Sequence, residues 1–301
     1  MWPHGPTGAP PRARADGLLL VDKPAGPTSH DVVAAVRRAL GERRVGHAGT
    51  LDPAATGLLV VLAGRATRLA RFVALLPKQY RGTIRFGWET TTDDATGEPL
   101  ETDDRWRERS EADVARALEQ VAAEPLQVPP RVSAKKVGGE RAYRRVRRGE
   151  LPDLEPVEVR IHSLTAAAVD CAAGEVAIDV RCGTGTFVRA IARDVGRALG
   201  SRAHLKDLRR VAVGPWRVEE AVALAELAPG AALPLRPLAE AVSHLPALEV
   251  GPLSAEAVVH GRRIEEPVRH EGPVAVYHAG ALLAVVEWRE GRYAPLVVLA
   301  P

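Results

Sequence analysis

Two periodicities divide the chain. Short apolar runs bounded by glycine or proline predict buried strands at Leu18 to Val21 and Leu58 to Leu62. Between them, Val32, Val33, Val36 and Leu40 recur at helical spacing, with Thr28 or Ser29 as a cap and Gly41 as a stop. The pattern then predicts an amphipathic helix from Arg65 to Leu76, stopped by Pro77, and a strand from Tyr80 to Trp88. Thr90 to Asp104 reads as an acidic surface loop, and Ser110 caps a helix that reaches about Ala122. Strands are expected at Val157 to Leu164 and Glu175 to Cys182, followed by a helix from Thr186 to Leu199 ended by Gly200. Gly183-Thr184-Gly185-Thr186 opens that helix with backbone N–H groups that suit an anion. Leu205 to Val213 is the last basic element. A Pro- and Ala-rich stretch, 228–246, reads as a linker with a short helix before it. Beyond it, Pro273 to His278, Leu282 to Trp288 and Leu296 to Leu299 are short strands between glycine-containing turns, the texture of a small β-barrel.

Composition narrows the class. A chain of 301 residues, 46% hydrophobic, can bury the cores of one large domain and one small one. Residues 1–15 are rich in Pro, Gly and Arg and lack the apolar centre of a secretory signal, so a disordered tail is expected. No apolar run is long enough to span a bilayer. Cys171 and Cys182 provide neither a disulfide framework nor a four-ligand metal site, which fits a reducing cytoplasm, and the nine histidines show no metal-ligand spacing.

The net charge of +3 conceals an asymmetry. Residues 43–88, 131–148 and 181–217 hold 25 of the 41 Lys and Arg but only 4 of the 38 acids. Such concentration suggests a phosphate-rich partner; the bland reading is arginine-rich faces neutralised by acids elsewhere. All three Phe, with Tyr80, Tyr143, Trp88 and Trp216, fall in those windows, where some could stack on bases. Tyr143 lies within the Pro- and then Arg-rich segment Pro125 to Gly149, expected to touch a nucleic-acid backbone.

One acid stands alone. From Arg43 to Trp88 there are eight Lys or Arg and a single carboxylate, Asp52, inside Val45 to Leu59. Pro53 forces Asp52 into an extended conformation, and Gly46, Gly49 and Gly57 relax the backbone around it. By these features alone, a functional carboxylate and a polar turn capped by Asp52 are equally good readings. Rival motifs are weaker. Ser133 and Lys136 fit S-x-x-K without partner motifs, the adjacent Ser29, His30 and Asp31 cannot converge as a triad, and Gly183-x-Gly185 lacks a third glycine.

The run G-H-A-G-T-L-D-P-x-A-T-G, Gly46 to Gly57, resembles the catalytic motif of the TruB family of tRNA pseudouridine synthases, which guide-RNA-dependent relatives share. The resemblance continues through Gly17 to Pro24, Lys78-Gln79-Tyr80 and Gly185 to Arg189, covering about residues 16–217. It implies an α+β fold with a mixed sheet flanked by helices. It also implies a catalytic domain at 16–227, a linker at 228–246 and a PUA-like RNA-binding domain at 247–301. The implied activity is isomerisation of uridine 55 in the tRNA T loop, with Asp52 as nucleophile, Arg189 as its partner and Tyr80 stacking on the target base. His47 is expected to contact RNA where the base flips out, and Phe187 and Leu208 to line the pocket. Phe187 departs from the usual bacterial tyrosine, and Thr184 lies near a position usually basic, so a polar network behind Asp52 and Arg189 is not assured. The resemblance implies no cofactor, metal or protein partner, a monomer, and a cytoplasmic location. Two other readings fit the charge pattern: an RNA-binding or tRNA-folding protein, and a synthase that needs a guide RNA.

Overall fold

The structure is a computed structural model that describes residues 15–132, 136–137, 140–141 and 154–299. The tail expected at 1–15 lies almost wholly outside the described residues, as do Ser133, Tyr143 and most of the Arg-rich segment.

A mixed sheet organises the larger part of the chain. Its strands are β1 (Gly17–Lys23), β2 (Val45–His47), β3 (Thr56–Ala63), β4 (Lys78–Phe86), β5 (Ile161–Asp170), β6 (Glu175–Cys182), β7 (Ala203–Val213) and β8 (Val222–Ala223). The order across the sheet is β5-β6-β4-β7-β3-β1-β8, with β2 paired to β3 and a ninth, two-residue strand, Trp216–Arg217, paired to β7. Neighbours are antiparallel except β7 with β3 and β1 with β8, which run parallel. The expected α+β fold with a mixed sheet is what the chain adopts.

The continuous apolar runs have a physical reason. In β1 and β3, Leu18, Leu20, Leu58, Val60 and Leu62 fill the core on one face, while Leu19, Val21, Leu59 and Val61 fill the other. A strand buried on both faces loses the polar alternation of a half-exposed one. Helix α1 (Ser29–Leu40) covers the second face through Val32, Val33 and Val36. Its ends follow the sequence signals: Thr28 and Asp31 form a capping box, and Gly41 closes it at φ 63°. Ala70–Ala74 forms α2. At the far end, α3 (Glu111–Ala123, capped by Ser110) and α4 (Val188–Ala198) pack on Ile84, Val176, Ile178 and Val180.

The remaining chain forms α5 (Pro252–Val259) and a sheet of β9 (Ala247–Glu249), β10 (Pro273–His278), β11 (Ala281–Arg289) and β12 (Arg292–Val298), in that order. Alternation divides its faces. Val274, Val276, Ala284 and Val286 pack with Val258 of α5, whereas Ala275 and Val285 join the core around β1 and β3. These pairings describe a four-stranded sheet, and the barrel remains an expectation.

Several expected elements differ. Arg65 to Leu76 is a 3-10 helix, Gly64–Leu69, that passes into the short α2. In the 3-10 part Ala66 and Leu69 are buried three positions apart, a spacing that suits the tighter helix, and Phe72 and Val73 are buried in α2. The expected strand at Val157 to Leu164 is split into a two-residue strand, Val157–Glu158, paired with Leu126–Gln127, and β5, which runs on to Asp170 with its side chains mostly exposed at the sheet edge, so the apolar signal is weak. The helix expected from Thr186 begins at Val188. Within 228–246, Leu18 and Arg236 exchange backbone hydrogen bonds of 3.0 and 2.8 Å, and Ala241 and Val242 are buried, so this stretch is docked on the core. The short helix before it resolves into two 3-10 turns, Val218–Glu220 and Leu224–Glu226.

Gly57 is set by close approach. At φ 100°, a Cβ there would lie 2.2 Å from the Arg210 carbonyl oxygen. Gly57→Ala is expected to destabilise the protein by about 3 kcal/mol. Gly230→Ala, at φ 81° but with open space around it, is expected to cost about 1 kcal/mol. Urea denaturation of both variants measures the difference.

Candidate active site

Asp52 sits on the loop between β2 and β3, and buried side chains fix that loop from beneath. Lys23, fully buried at the end of β1, donates to the carbonyl oxygens of Pro24, Pro53 and Ala55 at 2.8, 3.1 and 2.7 Å. Arg210, 1% exposed on β7, donates to Leu58, Thr50 and Gly49 carbonyls at 2.7, 3.4 and 3.0 Å. Ser29 Oγ donates to the Leu51 carbonyl at 3.0 Å and accepts from the Leu51 N–H at 2.9 Å. Asp31 caps α1 and Ser29 holds Leu51, so these two side chains have separate structural duties rather than those of a triad. Gly49, at φ 102°, turns its carbonyl toward Arg210.

Strand register explains the convergence. Tyr80 of β4 lies opposite Arg210 of β7, Arg210 opposite Gly57 of β3, and Gly57 opposite Lys23 of β1. Residues in one cross-strand row point to the same face. Gly57 leaves its place in the row empty, and the two cations flank it.

The Asp52 carboxylate is half exposed and lies 3.0 Å from Arg189 Nε. Arg189 is 7% exposed and is held at its other nitrogens by the Thr92 and Val132 carbonyls at 2.8 and 3.1 Å. Asp94 approaches the same Nε at 3.6 Å and is itself oriented by Thr92 and Thr96. The acidic segment is therefore not a simple surface loop. Trp88–Thr90 pairs with Pro99–Thr102, and Glu89 and Asp93 are buried against α4. Arg193 bonds Asp93 at 2.8 Å, and Arg197 bonds both oxygens of Glu89 at 2.7 and 2.8 Å. Burial pushes the Asp93 carboxyl up, and Arg193 and Arg189 oppose that shift.

A cavity of about 250 Å³ opens at this ion pair. Asp52, Tyr80, Phe187, Arg189 and Leu208 line it together, with Lys78, Thr184 and Arg210. Burial raises the Tyr80 hydroxyl above the usual tyrosine range, with Arg210 pulling in the opposite direction. Burial also lowers the Lys23 ammonium, and the charge of Asp52 opposes that shift. The helix opening beside the cavity is less free than expected. Phe187 N–H donates to Gln127 Oε1 at 2.9 Å, and Gly183 N–H donates to the Arg160 carbonyl at 2.8 Å.

His47 is outside the cavity wall. Its ring stands edge-on to His30, centroids 5.6 Å apart, and its buried Nδ1 has no partner among the described residues. Burial, then His30 and Arg210, hold its pKa below the usual histidine value. A larger cavity, about 840 Å³, lies between α3, α4 and the acidic segment, and contains none of Asp52, Tyr80 or Arg189.

The residues that pattern reading missed are Arg210, Asp94 and Lys78. Arg210 lies in an alternating basic strand, where nothing distinguishes it from Arg209, which pairs with Asp22 at 2.7 Å. Asp94 is one of several acids in a polar stretch. Lys78 has a local signal, as a lysine at a buried position two residues before Tyr80 on one strand.

Comparison with known proteins identifies the family. The family model described as TruB family pseudouridylate synthase (N terminal domain) matches residues 37–188. Two models for TruB C-terminal regions match 189–234 and 245–300. The chain is 51% identical over 296 residues to tRNA pseudouridine synthase B of Thermobifida fusca, covering 95% of this chain and 99% of that protein. It is 43% identical to tRNA pseudouridine synthase B of Streptomyces griseus, covering 95% and 97%. Among solved structures, a Cbf5-Nop10-Gar1 complex contains a chain with TM-score 0.71 at 22% identity, covering 95% of this chain and 86% of that one. An H/ACA RNP bound to a substrate RNA containing 2′-deoxyuridine gives 0.70 at 21%, with the same coverage. The last two establish the likeness of fold; the matched models and the close relatives establish that the chain belongs to the TruB family of tRNA pseudouridine synthases.

Proposed function

We propose that this chain isomerises uridine 55 in the T loop of tRNA to pseudouridine, with Asp52 as nucleophile after the base has been extruded into the cavity. The observation that carries the reading is the Asp52–Arg189 ion pair, half open to a cavity lined by Tyr80, Phe187 and Leu208. A carboxylate held still by a guanidinium is a suitable nucleophile for an anomeric carbon or for C6 of uracil. The N1–C1′ bond breaks with its electron pair on the uracil. The ring rotates, C5 bonds to C1′, C5 loses its proton and N1 gains one. Atoms and electrons balance without redox change or group transfer, so the reaction calls for no cofactor or metal.

Tyr80 is assigned to stack on the base, near the C5 proton, and Phe187 and Leu208 to hold its apolar edges. His47, outside the cavity, is assigned to contact RNA at the point of extrusion. Residues 16–227 are assigned as the catalytic unit, with 228–246 as connection and 247–301 as a further RNA-binding unit. The enzyme is assigned as a cytoplasmic monomer acting on tRNA without a protein partner or guide.

Asp52→Asn is expected to reduce tritium release from C5-labelled, unmodified tRNA transcript by about 10⁴-fold or more, with tRNA affinity within about threefold of wild type. The assay uses purified protein without guides, and mapping of the product tests the position. Near-normal turnover by the variant would sink the nucleophile, and wild-type inactivity with tight binding would favour a binding protein or a guide-dependent enzyme. Asp94→Asn is expected to slow turnover by about 10- to 100-fold through a less constrained Arg189. Exposed Arg43, Arg44, Arg68, Arg71, Arg181 and Arg217 have no carboxylate partner among the described residues. The affinity is therefore expected to fall steeply with salt, with a log–log slope steeper than about −3 in a filter-binding titration.

A further inference from the structure

The cavity holds a cation that the scheme above does not use. Lys78 opens β4, two residues before Tyr80, so both side chains leave the strand on one face. Lys78 is 5% exposed and forms part of the cavity wall that also contains Asp52 and Arg189. Its ammonium donates to Thr184 Oγ1 at 2.9 Å and to the Ala74 carbonyl, while Thr184 Oγ1 donates to the same carbonyl at 2.5 Å. Both acceptors are neutral, and no carboxylate pairs with Lys78 among the described residues. An ammonium has three N–H donors, so one remains.

The groups around Lys78 leave its charge uncompensated. Cys182 lies opposite it on β6, with a thiol pushed up to about 11 by burial and therefore neutral near pH 7. Arg210 adds a second positive charge from β7, and Tyr80, raised by burial, stays protonated near pH 7. Asp52, across the cavity, is engaged by Arg189. Burial, reinforced by Arg210, lowers the Lys78 pKa to about 8. A buried cation with neutral partners is costly unless an anion arrives.

The reaction supplies that anion. When N1–C1′ breaks, the bonding pair delocalises over N1 and the two carbonyl oxygens of uracil. If Asp52 instead adds first to C6, the pair moves through C5 onto O4. Either route turns a neutral carbonyl oxygen into a charged one. Resting on the isomerase reading above, we propose that Lys78 is a catalytic residue whose free N–H stabilises the negative charge developing on a uracil carbonyl oxygen during N1–C1′ cleavage. The interaction is stronger with the anion than with the neutral base, so it lowers the barrier rather than merely tightening binding. The sign of the pH dependence follows. The ammonium is present below about pH 8, and its contribution is lost as pH rises through that value.

Single-turnover rates on a T-arm stem-loop RNA, measured from pH 6 to 9.5, test the proposal together with affinity and thermal stability. Lys78→Met is expected to slow the reaction roughly 10²- to 10³-fold with affinity within about threefold. It should also abolish the alkaline fall in rate expected of wild type near pH 8. Lys78→Arg, which keeps the charge, is expected to retain most of the rate and to hold it at high pH. On RNA carrying 5-fluorouridine, whose uracil anion is intrinsically more stable, the Lys78→Met deficit in bond cleavage should shrink. A Lys78→Met rate within threefold of wild type would overturn the proposal. So would equal deficits on the two RNAs, or equal losses in Lys78→Met and Lys78→Arg, since these mark a purely structural lysine. If Lys78→Met does not fold, the wild-type and Lys78→Arg pH profiles decide, and identical alkaline limbs would refute it. Activity retained by Asp52→Asn would instead remove the underlying reading.

Discussion

The site depends on two cations buried under one loop. Lys23 and Arg210 together bond six backbone carbonyls between Pro24 and Leu58, five of which belong to residues 49–58. A tight loop turns many carbonyls away from any ladder, and unsatisfied buried polar groups cost about 1 to 3 kcal/mol each. Charged donors satisfy these oxygens and lock the backbone that carries Asp52. The arrangement needs Lys23, Gly57, Arg210 and Tyr80 in one row across four strands, so sheet register fixes the loop and Tyr80 together.

The second support is helix α4, where Arg189, Arg193 and Arg197 recur every fourth residue and lie on one face. Each meets an acid from 89–94: Asp94, Asp93 and Glu89 in turn. Ion pairs that are partly buried contribute little net stability against an apolar packing, but removing one partner leaves the other charge stranded. The ladder therefore fixes register. It leaves Arg189 one position for its guanidinium, the position that faces Asp52. The site is made where a loop fixed by cations meets a helix fixed by acids.

Much of this was legible in the chain and some was not, for physical reasons. Local signals held at several helix ends and in the central strands. Thr28, Ser110 and Gly41 mark real helix ends, and the apolar runs of β1 and β3 are buried on both faces. Asp52 stood out as a lone carboxylate in a basic stretch, and the family resemblance of Gly46 to Gly57 supplied its catalytic reading. What escaped depends on partners far away in sequence. Asp94 and Arg189 are 95 positions apart, and the acidic segment is polar whether it faces water or arginines. Residues 228–246 look like a linker because their docking uses backbone bonds at Arg236 and scattered side chains, among them Leu233, Leu235, Leu238, Ala241 and Val242, rather than a continuous apolar run.

Charge shows the same lesson most sharply. The basic windows suggested a surface for phosphate, yet many of their cations pair with carboxylates of the same chain, several of them at the surface. Arg65, Arg81, Arg85, Arg193, Arg197, Arg202, Lys206 and Arg209 all pair with acids. Nearly all those acids lie outside the windows in sequence, so folding partly undoes the asymmetry that counting revealed. The bland reading of arginine-rich faces thus holds for about half of the described basic residues there. The other half divides by depth. Exposed arginines remain available to a polyanion at long range, whereas Lys78 and Arg210 sit beneath the cavity, where water does not screen them. Charge that binds RNA must stay in water until the partner arrives. Charge that acts on a single extruded base works best when water has already been excluded, and the strand row beneath Asp52 is where this fold excludes it.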